Sequence, residues 1–467
     1  RTVGGIAFQW LFNGLSMIVM LHAFSHFKIL RVLGRVSTTI GQRWTVGLCM
    51  ILAFVGCYAC LPRWNGVETP PTEVIELTLW QGINPPPNRA VFDRLVDRFN
   101  QTHPEIHIHS VYAGQSEQQL PKVLTAVIGN VAPDILWFSP TATGKFVDLG
   151  AIVPLDRWFI ESTTVEELEP ALRDGMLESH HIWSVPMATN NIGIFYRPSL
   201  FKAAGIATIP TSWEALLRTA QRLTTDMDGD GQTDRYGMLL PLGKDEWTVF
   251  TWLPFLYSAG GDPSYNQRPN LSTKEARHAL QFWTELMHTG SALLSQPERG
   301  FELDDFLAGR VAMQLTGPWT LEQLEASGVD YSVMPIPADQ QAATVVGGEH
   351  LFVMKSNEAR EAAALEFLEF ALSETFQTEW AIGTGYLPVN VKSRQSAAYQ
   401  RYIQSRPVLN VFLNQMKVAR SRPTFSGYPR LSNALGRAIE QSLLGTPPTE
   451  ALRLAQERAE RFWDGDR

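Results

Sequence analysis

The sequence predicts an α/β protein built on parallel sheets in more than one domain. Three observations lead there. A β-α-β-α-β run spans Val74 to Phe138, a second α/β unit begins near Ile182, and 467 residues are enough for two or three ordinary domains.

Ile75 to Trp80 alternates apolar and polar side chains and is expected as a strand. Arg89 to Asn100 places Val91, Phe92, Leu95, Val96 and Phe99 on one helical face, and Pro104 bars continuation. Ile106 to Tyr112 is a second strand, Leu120 to Ile128 a second helix and Asp134 to Phe138 a third strand. Such a run gives a parallel sheet with helices on both faces, and ligands sit beyond the carboxyl ends of its strands. Those ends are Gln81-Gly82, Ala113-Gly114-Gln115-Ser116 and Ser139-Pro140-Thr141. In the second unit Ile192 to Tyr196 is a strand. Ser212 then caps a helix with Leu216, Leu217 and Ala220 on one face. Further helices are expected at Thr273 to His288, Arg360 to Leu372 and Thr449 to Trp463.

Hydrophobic residues make up 45% of the chain and charged residues 18%, which suits a large buried core. The net charge is −8, with Lys and Arg dispersed and no basic run, so no nucleic-acid partner is expected. The three cysteines are Cys49, Cys57 and Cys60. The globular part therefore has neither a disulfide framework nor a cysteine-based metal site.

Two apolar stretches, Ile6 to Phe24 and Trp44 to Leu61, lie in the first 61 residues, with Arg31, Arg35 and Arg43 between them. A basic flank, an apolar run and then small residues is the layout of a secretory signal. A signal of ordinary length starts near Val36. Ala53-Phe54-Val55-Gly56-Cys57 resembles a bacterial lipoprotein signal, with Cys57 as the lipidated residue and Phe54 where Leu is usual. The alternative is an uncleaved membrane-anchor helix, since both stretches approach spanning length. Either reading exports the globular part to the periplasm or cell surface. Residues 62–73 read as a Pro-rich linker.

A series of short motifs follows in order. Pro133-Asp134-Ile135, Val153-Pro154-Leu155-Asp156, Ile182-Trp183-Ser184-Val185-Pro186 and Ile194-Phe195-Tyr196-Arg197 come first. Ala204-Gly205-Ile206, Pro210-Thr211-Ser212-Trp213-Glu214, Gly309-Arg310-Val311-Ala312-Met313 and Thr316-Gly317-Pro318-Trp319 follow. Gly347-Gly348 and Thr384-Gly385-Tyr386-Leu387-Pro388 close the series. In that order, over about Val74 to Trp463, the chain resembles the family 1 extracellular solute-binding proteins, the maltose-binding and glycerol-3-phosphate-binding group. The resemblance implies a two-lobed type II periplasmic-binding-protein fold that encloses a ligand at a hinge. It places residues 74–187 plus 344–388 in one lobe and 188–343 plus 389–467 in the other. The chain would cross near Met187 to Thr189, Thr344 to Gly347 and Leu387 to Val389. It also implies a monomer that delivers a sugar or polyol to the permease subunits of an ABC importer.

A sugar presents hydroxyls around an apolar ring face, so its site needs aromatic platforms and planar polar groups. By the resemblance Trp319 is the stacking residue, Trp247 a second aromatic contact, and Trp252 a core residue. Asn190 and Asn191 offer amides to ligand or to the hinge itself. Gly348 and Glu349 stand at the second crossing and Tyr386 at the third; His350 reads as structural. Arg430 resembles an arginine that glycerol-phosphate binders place on the anion. Gln115, Ser116 and Thr141 sit on the strand-end loops. Ser116 stands where phosphopolyol binders carry an aromatic, and Ser139-Pro140-Thr141 where they carry an acid. These departures favour a neutral saccharide or polyol.

Asp226, Asp228, Asp230 and Asp234 in DMDGDGQTD mimic a structural calcium loop, but its twelfth position is Gly237 rather than Glu. The alternative is a solvated turn. Two rival functions are weighed. An enzyme would need more than the paired Asp304 and Asp305 or the adjacent Glu349 and His350, and no catalytic motif accompanies them. A sensory subunit serving a receptor would share the fold and the site.

Overall fold

Alternation along each strand decides which side chains are buried, and in the central strands of this chain both faces are apolar. The computed structural model describes residues 74–114, 116–162, 164–296 and 303–464. The signal or anchor segment with Cys57, the linker and Gln115 lie outside the described residues.

The first sheet starts with Ile75–Gln81 (β1), Ile106–Tyr112 (β2) and Ile135–Phe138 (β3), mutually parallel as expected. Pro86–Thr102 (α1) and Ser116–Ile128 (α2) connect them. α1 begins before Arg89 because prolines fit the first helical turn, where no amide partner is needed. Val185–Pro186 (β4) lies at the sheet's far edge. The second unit thus starts later than Ile182, which pairs with Leu177 in a small hairpin. Its strands are Gly193–Tyr196 (β5), Tyr236–Leu240 (β6), Ala292–Leu294 (β7), Val311–Thr316 (β8) and Ser332–Met334 (β9). They form a second sheet in the order β7-β6-β8-β5-β9. Thr344–Val345 (β10) and His350–Val353 (β11) follow, and β11 completes the first sheet in the order β2-β1-β3-β11-β4.

Neither sheet is wholly parallel. β11 runs antiparallel to β3 and β4, and β5 antiparallel to β8 and β9. β11 enters its sheet from the crossing side, so it must run against strands that leave by that side.

In the first sheet Leu79, Ile135, Trp137 and Leu351 face one core, while Leu136, Phe138 and Phe352 face another. In the second, Phe195 and Leu239 point one way and Ile194, Met238 and Met313 the other. Both sheets are therefore sandwiched, as α/β layers require. The helices that cover them include Trp213–Leu223 (α3), Glu246–Ser258 (α4) and Lys274–His288 (α5). Glu358–Leu372 (α6), Glu374–Thr384 (α7), Tyr428–Leu443 (α8) and Pro448–Asp464 (α9) complete the set. Ser212 Oγ accepts from Ala215 N at 3.2 Å, the N-cap expected from the sequence. Among the described residues no helix is long and apolar enough to cross a membrane.

One buried charge ties α6 to the first sheet. Asp134 accepts from Arg360 Nε and Nη2, both at 2.6 Å, and from Thr78 N at 2.8 Å. Asp134→Ala leaves a cation and an amide without their acceptor. The expected cost is about 2 kcal/mol, reduced because Arg360 is partly exposed. It should appear as a lower urea midpoint at unchanged slope. A loss under about 0.5 kcal/mol would show that the pair does not hold α6 in place.

Candidate ligand-binding site

Three chain segments meet between the sheets with almost no side chains between them. Asn190 and Gly347 exchange two backbone hydrogen bonds, at 3.1 and 2.8 Å. Leu387 N donates to Thr189 O at 2.9 Å, and Met187 N to Glu349 O at 3.1 Å. Gly348 adopts φ +107°, and a Cβ there would stand 2.1 Å from Ala188 O. Only glycine combines that backbone with that contact.

Aromatic rings from three elements converge beside this junction. Trp247 sits in the first turn of α4, started by Asp245 accepting from Thr248 N at 3.3 Å. Trp319 follows β8, and its ring folds back over Gly317. A Cβ on Gly317 would lie 1.9 Å from Trp319 Cζ3. Tyr386 follows α7, which ends at Gly385 with φ +79°. The Trp247 and Trp319 ring centroids are 6.0 Å apart at 76°, and those of Trp319 and Tyr386 6.4 Å apart at 39°. Both fit the usual geometry of aromatic pairs. Trp319 packs against the core of the first sheet and that of the second alike.

The charged groups complete a ring. Phe250 joins Trp247, with centroids 5.9 Å apart, to Arg422, whose guanidinium lies 4.9 Å from the Phe250 centroid. Arg422 follows Ala419–Arg420 (β12), which pairs with β10. Its side chain is 9% exposed and its Nη1 donates to Glu246 Oε1 at 2.8 Å. Tyr428 and Ser432 hydroxyls also donate to Glu246. Glu349 keeps a partly accessible side chain, but its Oε2 is shut off from water and has no hydrogen-bond partner. Burial pushes the Glu349 carboxyl up to about 7, against the pull of the Arg422 charge. Burial also pushes the Tyr386 phenol well above its ordinary value, aided by Glu349. His350 is pushed down to about 3 by burial and then by Arg422, and its Nδ1 lies 2.8 Å from Ser184 Oγ. A cavity lined by Pro140, Gly347, Gly348, His350, Ser421 and Arg422 has ≈ 10 Å³ of room for water centres, about one water's worth. That cavity is too small for a ring-sized solute, and none of Trp247, Trp319 and Tyr386 lines it.

The sequence model for bacterial extracellular solute-binding proteins matches residues 94–407, well over half of the chain. The chain belongs to this family. One relative is the sn-glycerol-3-phosphate-binding periplasmic protein UgpB of Salmonella paratyphi A, 24% identical over 443 residues, covering 89% of this chain and 96% of UgpB. Another is the maltotriose-binding protein of Pyrococcus abyssi, 20% identical over 67% of this chain and 66% of that protein. Among solved structures, UgpB from Mycobacterium tuberculosis in complex with glycerophosphocholine superposes with a TM-score of 0.74. The identity is 21%, over 84% of this chain and 99% of that one. The cyclic alpha-maltosyl-1,6-maltose binding protein from Arthrobacter globiformis gives 0.70 at 26% identity, over 83% and 98%. The fold is thus the two-lobed solute-binding fold expected from the sequence.

In this solute-binding protein Trp319, Trp247, Tyr386, Gly348 and Glu349 stand together at the junction. Asn190 is buried against Gly347. Asn191 is fully buried and spends its amide on Phe412 O, Met416 Sδ and Gln415. Its contacts are structural. Thr141 is buried in the turn with Pro140, its Oγ1 2.8 Å from Ser139 Oγ. Ser116 starts α2. Trp252 is a core residue with no exposure. Arg430 is exposed in the first turn of α8, and a second cation, Arg422, lies against the Phe250 ring. Ser421-Arg422-Pro423 carries no motif that would single it out. In the aspartate loop, donor atoms of Asp226, Asp228 and Asp234 lie within 4.8 Å of one another, and Asp230 is not in that set. Asp226 already accepts from Gly229 N and Gly231 N, which hold its carboxyl below the usual range.

Glu349 makes stability depend on pH. Its folded value, about 7, lies above its ordinary 4.5, so the fold prefers it protonated. Stability present below pH 4.5 is therefore lost as pH rises towards 7. His350 titrates in both proteins of a wild-type/Glu349→Gln comparison and cancels. The variant should gain on the wild type between about pH 4.5 and 7, by about 3 kcal/mol, with little further gain above. Urea midpoints that differ by the same amount at pH 5 and 8 would contradict this.

Proposed function

We propose that this solute-binding protein captures a neutral, hydroxyl-rich solute, a sugar or related polyol, and hands it to the permease subunits of an ABC importer. The observation that carries this reading is the Trp247, Trp319 and Tyr386 cluster beside a carboxylate oxygen with no partner. Aromatic faces take the apolar side of a sugar ring, and Glu349 Oε2 accepts from a hydroxyl. The charges support a neutral cargo. Arg422 is compensated by Glu246, and Glu349 adds a second acid. An anionic headgroup would face more negative than positive charge there. The sugar-binding relatives point the same way.

A phosphopolyol is the second reading. It is favoured by the UgpB relatives and by Arg422 Nε, which is buried with no hydrogen-bond partner. A sensory role would use the same site. The chain is held at the membrane through a lipid on Cys57 or through its apolar N-terminal segment.

The mechanism is closure. Closing over the cargo excludes water, which strengthens each polar contact, and contacts to both lobes offset the cost of bending the hinge. A melting-shift screen of sugars, polyols and glycerol phosphates tests the cargo. Stabilisation by a saccharide or polyol alone is the expected result, whereas stabilisation by phosphates alone establishes the second reading. With the cargo in hand, Trp319→Ala should weaken binding by about 2 kcal/mol or more, near 30-fold in Kd. Unchanged affinity by calorimetry would take Trp319 out of the site.

A further inference from the structure

The outer face of the first sheet carries a side-chain cluster that solute binding does not use. Ile106 and Ile108 of β2 are 2% exposed and face the core, so His107 and His109 between and after them point the opposite way. β1 and β2 are parallel, and the register sets Glu76 opposite His107 and Thr78 opposite His109. The two imidazole centroids are 4.7 Å apart. His109 Nε2 lies 2.7 Å from Glu76 Oε2. One donor atom from each of Glu76, His107 and His109 lies within 4.8 Å of the others.

We propose that Glu76, His107 and His109 bind a single divalent transition-metal ion, with zinc as the best-fitting ion. Two imidazoles and a carboxylate are a borderline donor set, suited to zinc, nickel or copper, while calcium and magnesium prefer oxygen alone. Zinc bonds of about 2.0–2.1 Å place tetrahedral ligand atoms roughly 3.3 Å apart. The three donors reach that spacing by rotating exposed side chains. His109 and Glu76 side chains are 55% and 57% exposed, so nothing packed has to move. Water takes the fourth position.

The backbone under the cluster is held on both sides. β1 pairs along one edge of β2. On the other, Asn100 of α1 clasps Ile108, accepting from its N at 2.8 Å and donating to its O at 3.0 Å. Ile108 is the residue between the two histidines, so their spacing is set before a metal arrives. Glu76 and His107 stand at the amino ends of their strands. The ligand cleft lies beyond the carboxyl ends, about 16 Å further along β1. The metal therefore binds independently of the solute and clips the edge strand to its neighbour.

Zinc titration calorimetry on the chelator-stripped protein tests this. The expected result is one zinc per chain, with His107→Gln and His109→Gln each weakening it by about tenfold or more, and Glu76→Gln also weakening it. Zinc should raise the melting temperature of the wild type but not of the double histidine variant. Without zinc the two should melt alike, because the side chains are at the surface. Asp228→Asn should leave zinc binding unchanged. No zinc uptake by the wild type would overturn the proposal. So would histidine variants that bind zinc as the wild type does.

Discussion

The structure depends on the close backbone contact at residues 187–190, 347–349 and 387. Two glycines without room for a Cβ let three strands touch there. That contact leaves little room for side chains beyond those of Asn190 and Phe250, and the junction is finished by what projects in from its sides. Trp247, Trp319 and Tyr386 do so from three separate elements. Each is set by a local device: a capped helix start, a glycine under an indole, and a left-handed glycine after a helix. The cleft is thus built from the ends of rigid elements, which is how a flexible pair of lobes keeps a defined binding surface.

Charge is handled economically in the same space. Arg422 is buried, and burial of a lone guanidinium would be costly without Glu246 beside it. Tyr428 and Ser432 saturate Glu246, which fixes its orientation. Glu349 has no such support and its carboxyl rises to about 7. With Arg422 Nε and Ser421 Oγ it has bonding capacity to spare, and its charge adds to the burial that suppresses the acidity of Tyr386.

Much of the fold was legible in the sequence because both signals it relies on are local. Alternation marked β1 and β2, a short apolar run marked β3, and helix caps such as Ser212 marked the helix starts. The reversed strands β5 and β11 were not legible as such, since direction in a sheet depends on where the chain returns from. Trp319, Tyr386 and Glu349 were singled out by the motifs that surround them, and the structure sets the Trp319 and Tyr386 rings side by side. Arg422 was missed because its role comes from distance in sequence: its partner Glu246 is 176 residues away. Arg430, chosen for its neighbours Gly427 to Leu431, sits on the exposed side of the helix that these neighbours begin. Asn191 shows the reverse, an amide that looked available and is consumed by residues 412 to 416.

The wall that brings Arg422 into the cleft comes from the last fifth of the chain, whereas the strand-end loops opposite it come from the first third. A polypeptide exported with its amino end leading delivers those two walls far apart in time. Until residues near 420 have emerged and paired with Thr344–Val345, the pocket lacks its cation and its floor stays open. A partly exported chain therefore has its aromatic residues outside before the strand pairing that carries Arg422 to them.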